Sequence, residues 1–180
     1  MDALRLERKG AGDLGDIRQR LLDVYAEIYA DRLDEEFHSL ARFDERLGWN
    51  AEVPGFTAVV GHIANTPVGY AYGCTLQADT RWWNGLRTPA PSDATTETGA
   101  RTFALSELMV TEAHRGTGVA HRIHDELLRD RPEERVTLLV ERDHPSVRAL
   151  YESWGYEWFG EALPFPDAPL YDSLMLPLAS

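Results

Sequence analysis

One stretch constrains this chain more than any other: a strand pattern that passes through a glycine-bearing loop straight into an amphipathic helix. Phe103 to Val110 reads as a strand, and Gly118 to Arg129 as a helix with Val119, Ile123, Leu127 and Leu128 on one face. The first turn of a helix leaves backbone N–H groups unpaired, and the helix dipole makes that end a site for an anion such as a pyrophosphate. Gly116 and Gly118 remove side chains where backbone must approach such a ligand. The loop lacks the Gly-Lys-Ser/Thr ending of a P-loop, and the three-glycine dinucleotide fingerprint is absent. Taken alone, a glycine pair at a helix start is equally an ordinary turn.

The flanking sequence supplies a single α/β sheet with helices on its faces. Leu4 to Arg8 alternates like a half-buried strand, and Asp13 is placed to cap a helix carrying Ile17, Leu21, Val24 and Ile28. A second helical pattern runs from about Asp34 to Leu47. Phe56 to Ile63 and Val68 to Leu76 form an expected hairpin with its turn at Asn65-Thr66-Pro67. Val136 to Val140 suits a buried strand. Asp143 and Pro145 open a helix that stops at Gly155, and Tyr156–Phe159 and Leu170–Leu176 close the sheet. Residues 79–100 break the pattern with Trp82-Trp83 and a run rich in Pro, Ser and Thr. A connection this long is functional or disordered. The expectation is one domain over residues 1–180 with a flexible loop at 79–100, read as a lid over the acceptor. Extended backbone cannot turn both Trp82 and Trp83 inward, so one is expected at a ligand, lid or partner.

A second constellation, Asp143-His144-Pro145-Ser146-Val147-Arg148-Ala149-Leu150-Tyr151 through Gly155-Tyr156, lies one strand beyond the glycine loop. Together the two stretches resemble the GNAT superfamily of N-acetyltransferases over about Leu105 to Phe159. The resemblance implies a mixed, mainly antiparallel sheet with helices on both faces and splayed central strands, and acetyl-CoA as co-substrate. It implies that Arg115, Gly116, Thr117, Gly118, Val119 and Ala120 cradle the CoA pyrophosphate. Leu108, Met109 and Val110 would pair with the pantetheine arm beside a bulge, and Tyr151 would lie beside the CoA sulfur. His144 and Val147 join the expected cofactor contacts. Two positions depart from the family pattern. Ala113 stands where Gln or Arg is usual, in a loop that works through backbone; His144 stands where Asn is usual, seven before Tyr151, and removes whatever hydrogen bond that asparagine makes.

Aminolysis of a thioester needs a neutral amine, a polarised carbonyl and a proton for the leaving thiolate. A phenol with an ordinary pKa near 10 can supply that proton, which points to Tyr151. The N–H of Val110, freed by the bulge, suits the carbonyl. Glu107, near the end of the central strand, is the candidate base; a salt-bridged strand residue reads the same way in sequence. Strand alternation sends Ser106 to the opposite face. Cys74 has no neighbour in sequence that would activate a thiolate, so direct transfer through a ternary complex is expected.

Composition narrows the partners. With 30 acidic against 18 basic residues the chain carries −12, the opposite of a phosphate-binding surface, so no nucleic acid is expected. No apolar run reaches the roughly 20 residues of a membrane span. The start lacks a secretory layout and the single cysteine excludes an intrachain disulfide, so a cytoplasmic location is expected. His114, His121 and His124 cluster near the loop, but without His-Glu-x-x-His spacing no metal is expected. A small-molecule amine is favoured over a protein acceptor; aminoglycoside-like drugs, polyamines, amino-acid amines and protein N-termini all fit. A homodimer stays open. The rival from another class is a catalytically silent acyl-CoA-binding sensor.

Overall fold

Residues 3–178 are described by a computed structural model. The N-terminal alternation becomes β1 (Arg5–Gly10), followed by α1 (Leu14–Ile28), α2 (Leu40–Glu52), β2 (Thr57–Ile63) and β3 (Thr66–Thr75). Then come β4 (Thr102–Val110), α3 (Val119–Leu128), β5 (Arg135–Glu141), α4 (Pro145–Ser153), β6 (Glu157–Ala162) and β7 (Tyr171–Pro177). The strands hydrogen-bond in the order β1-β2-β3-β4-β5-β7-β6. The ladders β1–β2, β2–β3, β5–β7 and β6–β7 are antiparallel, and a parallel ladder joins Thr102–Ala104 of β4 to Arg135–Thr137 of β5. The mixed, mainly antiparallel sheet is therefore as expected. The chain divides into two compact units, residues 3–74 with 105–131 and residues 75–104 with 132–178.

In the first unit the two faces of β2 and β3 are covered differently because strand side chains alternate. Ala58, Val60, Tyr70, Tyr72 and Cys74 pack with Ile17, Leu21, Val24 and Tyr25 of α1 and Phe43 and Leu47 of α2. The opposite face carries Gly61 and Gly69, where the Ile123 side chain of α3 comes so close that an added Cβ would lie 3.0–3.1 Å from it. Gly69 is also pressed by the strand beside it: a Cβ there would meet the Met109 carbonyl oxygen at 2.6 Å.

Four local expectations are corrected. The second helix begins at Leu40, not Asp34, because the Ser39 hydroxyl accepts from the Arg42 N–H (3.2 Å) and so sets the start; residues before it form turns. Asp13 stands at the cap position of α1 as expected, but its carboxylate makes no bond to that helix; it accepts from the Gly10 N–H (3.0 Å) and closes a 3-10 turn. The hairpin turns at Ala64 and Asn65, both left-handed (φ 49° and 65°), so Thr66 already belongs to β3. His144, not Asp143, occupies the cap position of α4, with Pro145 in the first turn.

In the second unit, β5, β7 and β6 are joined by antiparallel ladders on either side of β7. The Arg148 guanidinium of α4 reaches the Asp172 carboxylate on β7 at 3.1 Å. Residues 79–100 are hydrogen-bonded at both ends. Leu86 bridges Ala162, the Arg87 N–H donates to the Glu161 carbonyl (2.7 Å), and Trp83 packs on Phe159 at 5.3 Å. Further on, one carboxylate oxygen of the buried Glu97 accepts from Trp83 Nε1 (3.0 Å), Thr102 Oγ1 (2.9 Å) and Arg135 Nη2 (3.0 Å).

Candidate active site

The glycine loop has the backbone its sequence asks for. Gly116 and Gly118 adopt φ +71° and +82°, a region in which L side chains are strained, and an added Cβ at either would meet nothing within 4 Å. The glycines are therefore required by conformation, and the space above them is open. Gly118 is the cap residue of α3, so the first N–H groups of that helix start at the loop. The loop holds its own shape: Thr117 Oγ1 donates to the His114 carbonyl (2.6 Å), Thr111 Oγ1 contacts His114 Nδ1 (2.9 Å), and Arg115 Nε donates to the Val110 carbonyl (3.4 Å). Ala113 and Arg115–Gly118 are exposed; Val119 is buried under the loop and Ala120 is half-buried.

The strand feeding this loop meets α2 through polar groups. Glu107 Oε1 lies 3.8 Å from Arg46 Nη2, and the Ser106 hydroxyl donates to Asn50 Oδ1 at 2.6 Å. Both side chains reach α2, which corrects the expectation that they part to opposite faces. Alternation fades along β4, whose residues 106–109 are all half-buried, and Arg46 and Asn50 stand one turn apart on α2 to receive them. Asn50 Oδ1 also receives the Cys74 Sγ at 3.5 Å, while its amide donates to the Arg46 carbonyl at 2.9 Å. Arg46 is held in turn by the Phe37 carbonyl (2.8 Å) and lies 4.2 Å from the Phe37 ring centre. Burial opposes the Arg46 charge, but Glu107 and neighbouring tyrosines raise its pKa overall. The same Glu107 charge adds to burial in pushing the Tyr70 and Tyr72 phenols well above their ordinary value. The Tyr70 hydroxyl is buried and lacks a hydrogen-bond partner among the described residues. Burial lifts the Cys74 thiol to about 11, so it is inert as a nucleophile. Leu108 and Met109 are half-buried, with Met109 against the aromatic core of α1 and α2; Val110 is buried.

In the second unit Tyr151 is buried on α4, its ring edge-on to Trp154 (5.2 Å) and Tyr156 (5.4 Å). Those T-shaped contacts fix the ring by packing. His144 is exposed, with Nε2 3.5 Å from Glu141 Oε2, and Val147 is exposed one helical turn further on. Sequence reasoning singled out Glu107 and Tyr151 but missed Arg46 and Asn50. No local signal marks them, because they read as ordinary polar positions of an amphipathic helix.

The expected histidine cluster divides between the turn before the glycine loop and α3. His114 turns to Thr111, whereas His121 and His124 converge on Asp125, a residue sequence reasoning passed over. Burial holds the His124 pKa below the ordinary imidazole value despite Asp125.

Among solved structures, the chain is similar to PH1933 from Pyrococcus horikoshii OT3, with a TM-score of 0.71, 14% identity, and coverage of 99% of this chain and 100% of that one. It is similar to an acetyltransferase from Thermus thermophilus, with a TM-score of 0.64, 18% identity, and coverage of 99% and 100%. A third likeness is to the PaiA N-acetyltransferase from Thermoplasma acidophilum in complex with coenzyme A, with a TM-score of 0.59, 9% identity, and coverage of 98% and 99%. Identities this low carry the fold alone. No curated protein matches the chain in sequence. No helix among the described residues is long and apolar enough to cross a membrane. The sequence itself matches the acetyltransferase (GNAT) family over residues 18–156, a span that holds the glycine loop, β4 and Tyr151, and the chain belongs to that family.

Proposed function

We propose that the chain is an N-acetyltransferase that moves the acetyl group of acetyl-CoA directly to a primary amine on a small molecule. The observation that carries the reading is the Arg115–Ala120 loop: two left-handed glycines with open space above them, at the start of α3, in a chain of an acyltransferase family. Backbone N–H groups and the helix dipole there suit a pyrophosphate. The CoA complex of the PaiA neighbour supports the same co-substrate. Leu108, Met109 and Val110 are assigned to the pantetheine arm, and His144 and Val147 to further cofactor contacts.

In the reaction the amine nitrogen attacks the thioester carbonyl carbon, whose developing oxyanion the Val110 N–H is proposed to stabilise. Glu107 takes the proton the nitrogen loses. The C–S bond then breaks, and the Tyr151 hydroxyl gives its proton to the departing thiolate. Arg46 Nη2, 3.8 Å from Glu107 Oε1, holds that carboxylate beside α2. The inert Cys74 supports direct transfer over an acylated enzyme.

Thiol release from acetyl-CoA against a panel of polyamines, aminoglycosides, amino-acid amines and peptide N-termini tests this reading. At least one small amine should raise release well above hydrolysis. CoA binding with no release for any amine would replace the enzyme by an acyl-CoA sensor.

A further inference from the structure

His121, His124 and Asp125 occupy positions i, i+3 and i+4 of α3, a spacing that brings side chains to one face of a helix. His121 Nε2 lies 3.4 Å from Asp125 Oδ1, and His124 Nδ1 lies 3.1 Å from that same oxygen. One donor atom from each residue falls within 4.8 Å of the other two. His124 is buried, so its ring is held by packing, while His121 and Asp125 stand half open to solvent at 51% and 60% exposure of their side chains.

We propose that this face of α3 binds a divalent transition-metal ion through His121 Nε2, His124 Nδ1 and Asp125 Oδ1. Zinc bound to nitrogen and oxygen at about 2.0–2.2 Å has neighbouring ligands roughly 3.0–3.5 Å apart in tetrahedral or octahedral arrangement. The two shorter separations already fall in that range, so only the His121–His124 spacing must adjust, and His121 is the exposed partner. Two imidazoles and one carboxylate suit Zn²⁺, Co²⁺ or Ni²⁺ and are a poor set for Mg²⁺ or Ca²⁺, which favour all-oxygen shells. Three protein donors leave the remaining positions to water. One ligand fixed by burial gives the site a preformed anchor, which an arrangement of three surface side chains lacks. In sequence the cluster lacked a recognised spacing; the carboxylate that completes it appears only once α3 is built. The inference stands apart from the acetyl-transfer reading and needs no acceptor for its test.

The test uses chelator-treated protein without a histidine tag, titrated with Co²⁺ and then Zn²⁺. It follows the visible ligand-field absorption of cobalt and the melting temperature. The expected result is one Co²⁺ per chain, displaced by Zn²⁺, an upward melting shift with either ion, and no response to Mg²⁺. His121→Ala and Asp125→Asn, both at exposed positions, should each weaken binding about tenfold or more, the scale on which even outer-shell changes act. His114→Ala should bind as the wild type does. Absence of a cobalt spectrum together with an unmoved melting temperature would reduce the cluster to a hydrogen-bonded ion pair and overturn the proposal. Equal binding by wild type, His121→Ala and Asp125→Asn would overturn it too, by placing the ion on other surface histidines.

Discussion

Replacing Gly118 separates the two reasons a glycine stands there. At φ +82° an L residue pays a left-handed penalty of roughly 1–2 kcal/mol, and the absence of any atom within 4 Å adds no clash. For a chain of this size each kcal/mol moves the melting temperature by about 2–4 °C, so Gly118→Ala should melt roughly 2–8 °C lower and still fold. Coenzyme A at about 100 times its Kd stabilises the native state by roughly 2.7 kcal/mol, a wild-type upshift of about 5–11 °C. Gly118→Val puts a branched side chain over the backbone N–H groups, so that upshift should disappear while far-UV circular dichroism stays native. Differential scanning fluorimetry with and without coenzyme A reads both quantities. Gly69→Ala is the contrast: its Cβ would meet the Met109 carbonyl oxygen at 2.6 Å, backbone that cannot step aside, and the fold itself should suffer. A full ligand shift in Gly118→Val would remove the pyrophosphate assignment. Failure of Gly118→Ala to fold would contradict the open space.

Three further outcomes are expected. Tyr151→Phe deletes only a hydroxyl from a ring held by Trp154 and Tyr156, so turnover should fall about 10²–10⁴-fold with coenzyme A affinity kept; wild-type turnover counts against the acid role. Glu97→Ala strips the buried Arg135 of its carboxylate and should cost about 3–5 kcal/mol while exposing residues 79–101 to limited proteolysis; a stable, protease-resistant variant would show that the clasp is not what anchors the segment. Burial depresses the His62 and His124 pKa values below 6.5, whereas the unfolded chain titrates near that value. Stability is thus full above pH 6.5 and declines as the pH falls below it, until the folded-state values are passed. Urea denaturation midpoints that stay flat from pH 7 to pH 5 would refute the assignment of neutral buried histidines.

The parts of the fold that sequence exposed are those written in local periodicity. The alternation of β1, the apolar runs of β4 and β5 and the amphipathic face of α3 each fall within a window of a dozen residues, and the glycine pair marks its own loop. Element starts were less legible. Ser39 caps α2 through its hydroxyl and His144 stands at the cap position of α4 without a side-chain bond, whereas the pattern began α2 near Asp34 and offered Asp143 for α4, because a helix start depends on which residue the folded chain brings to it. The polar surroundings of Glu107 were hidden for another reason. Arg46 and Asn50 lie over fifty residues upstream of the strand they meet, and Glu97 finds Arg135 across β4, so neither pairing leaves a mark on local pattern. Sequence therefore named the groups suited to chemistry but not the partners that tune them.

Direct transfer of acetyl from acetyl-CoA to an amine fixes the stoichiometry of its products. Wild-type protein is incubated with isotopically labelled acetyl-CoA and each amine of the panel, then free thiol, labelled amide and the intact mass of the chain are measured together. One amide should form for each thiol released, with no label on the protein at any time. Thiol without amide, or label carried on the chain itself, would rule out direct transfer.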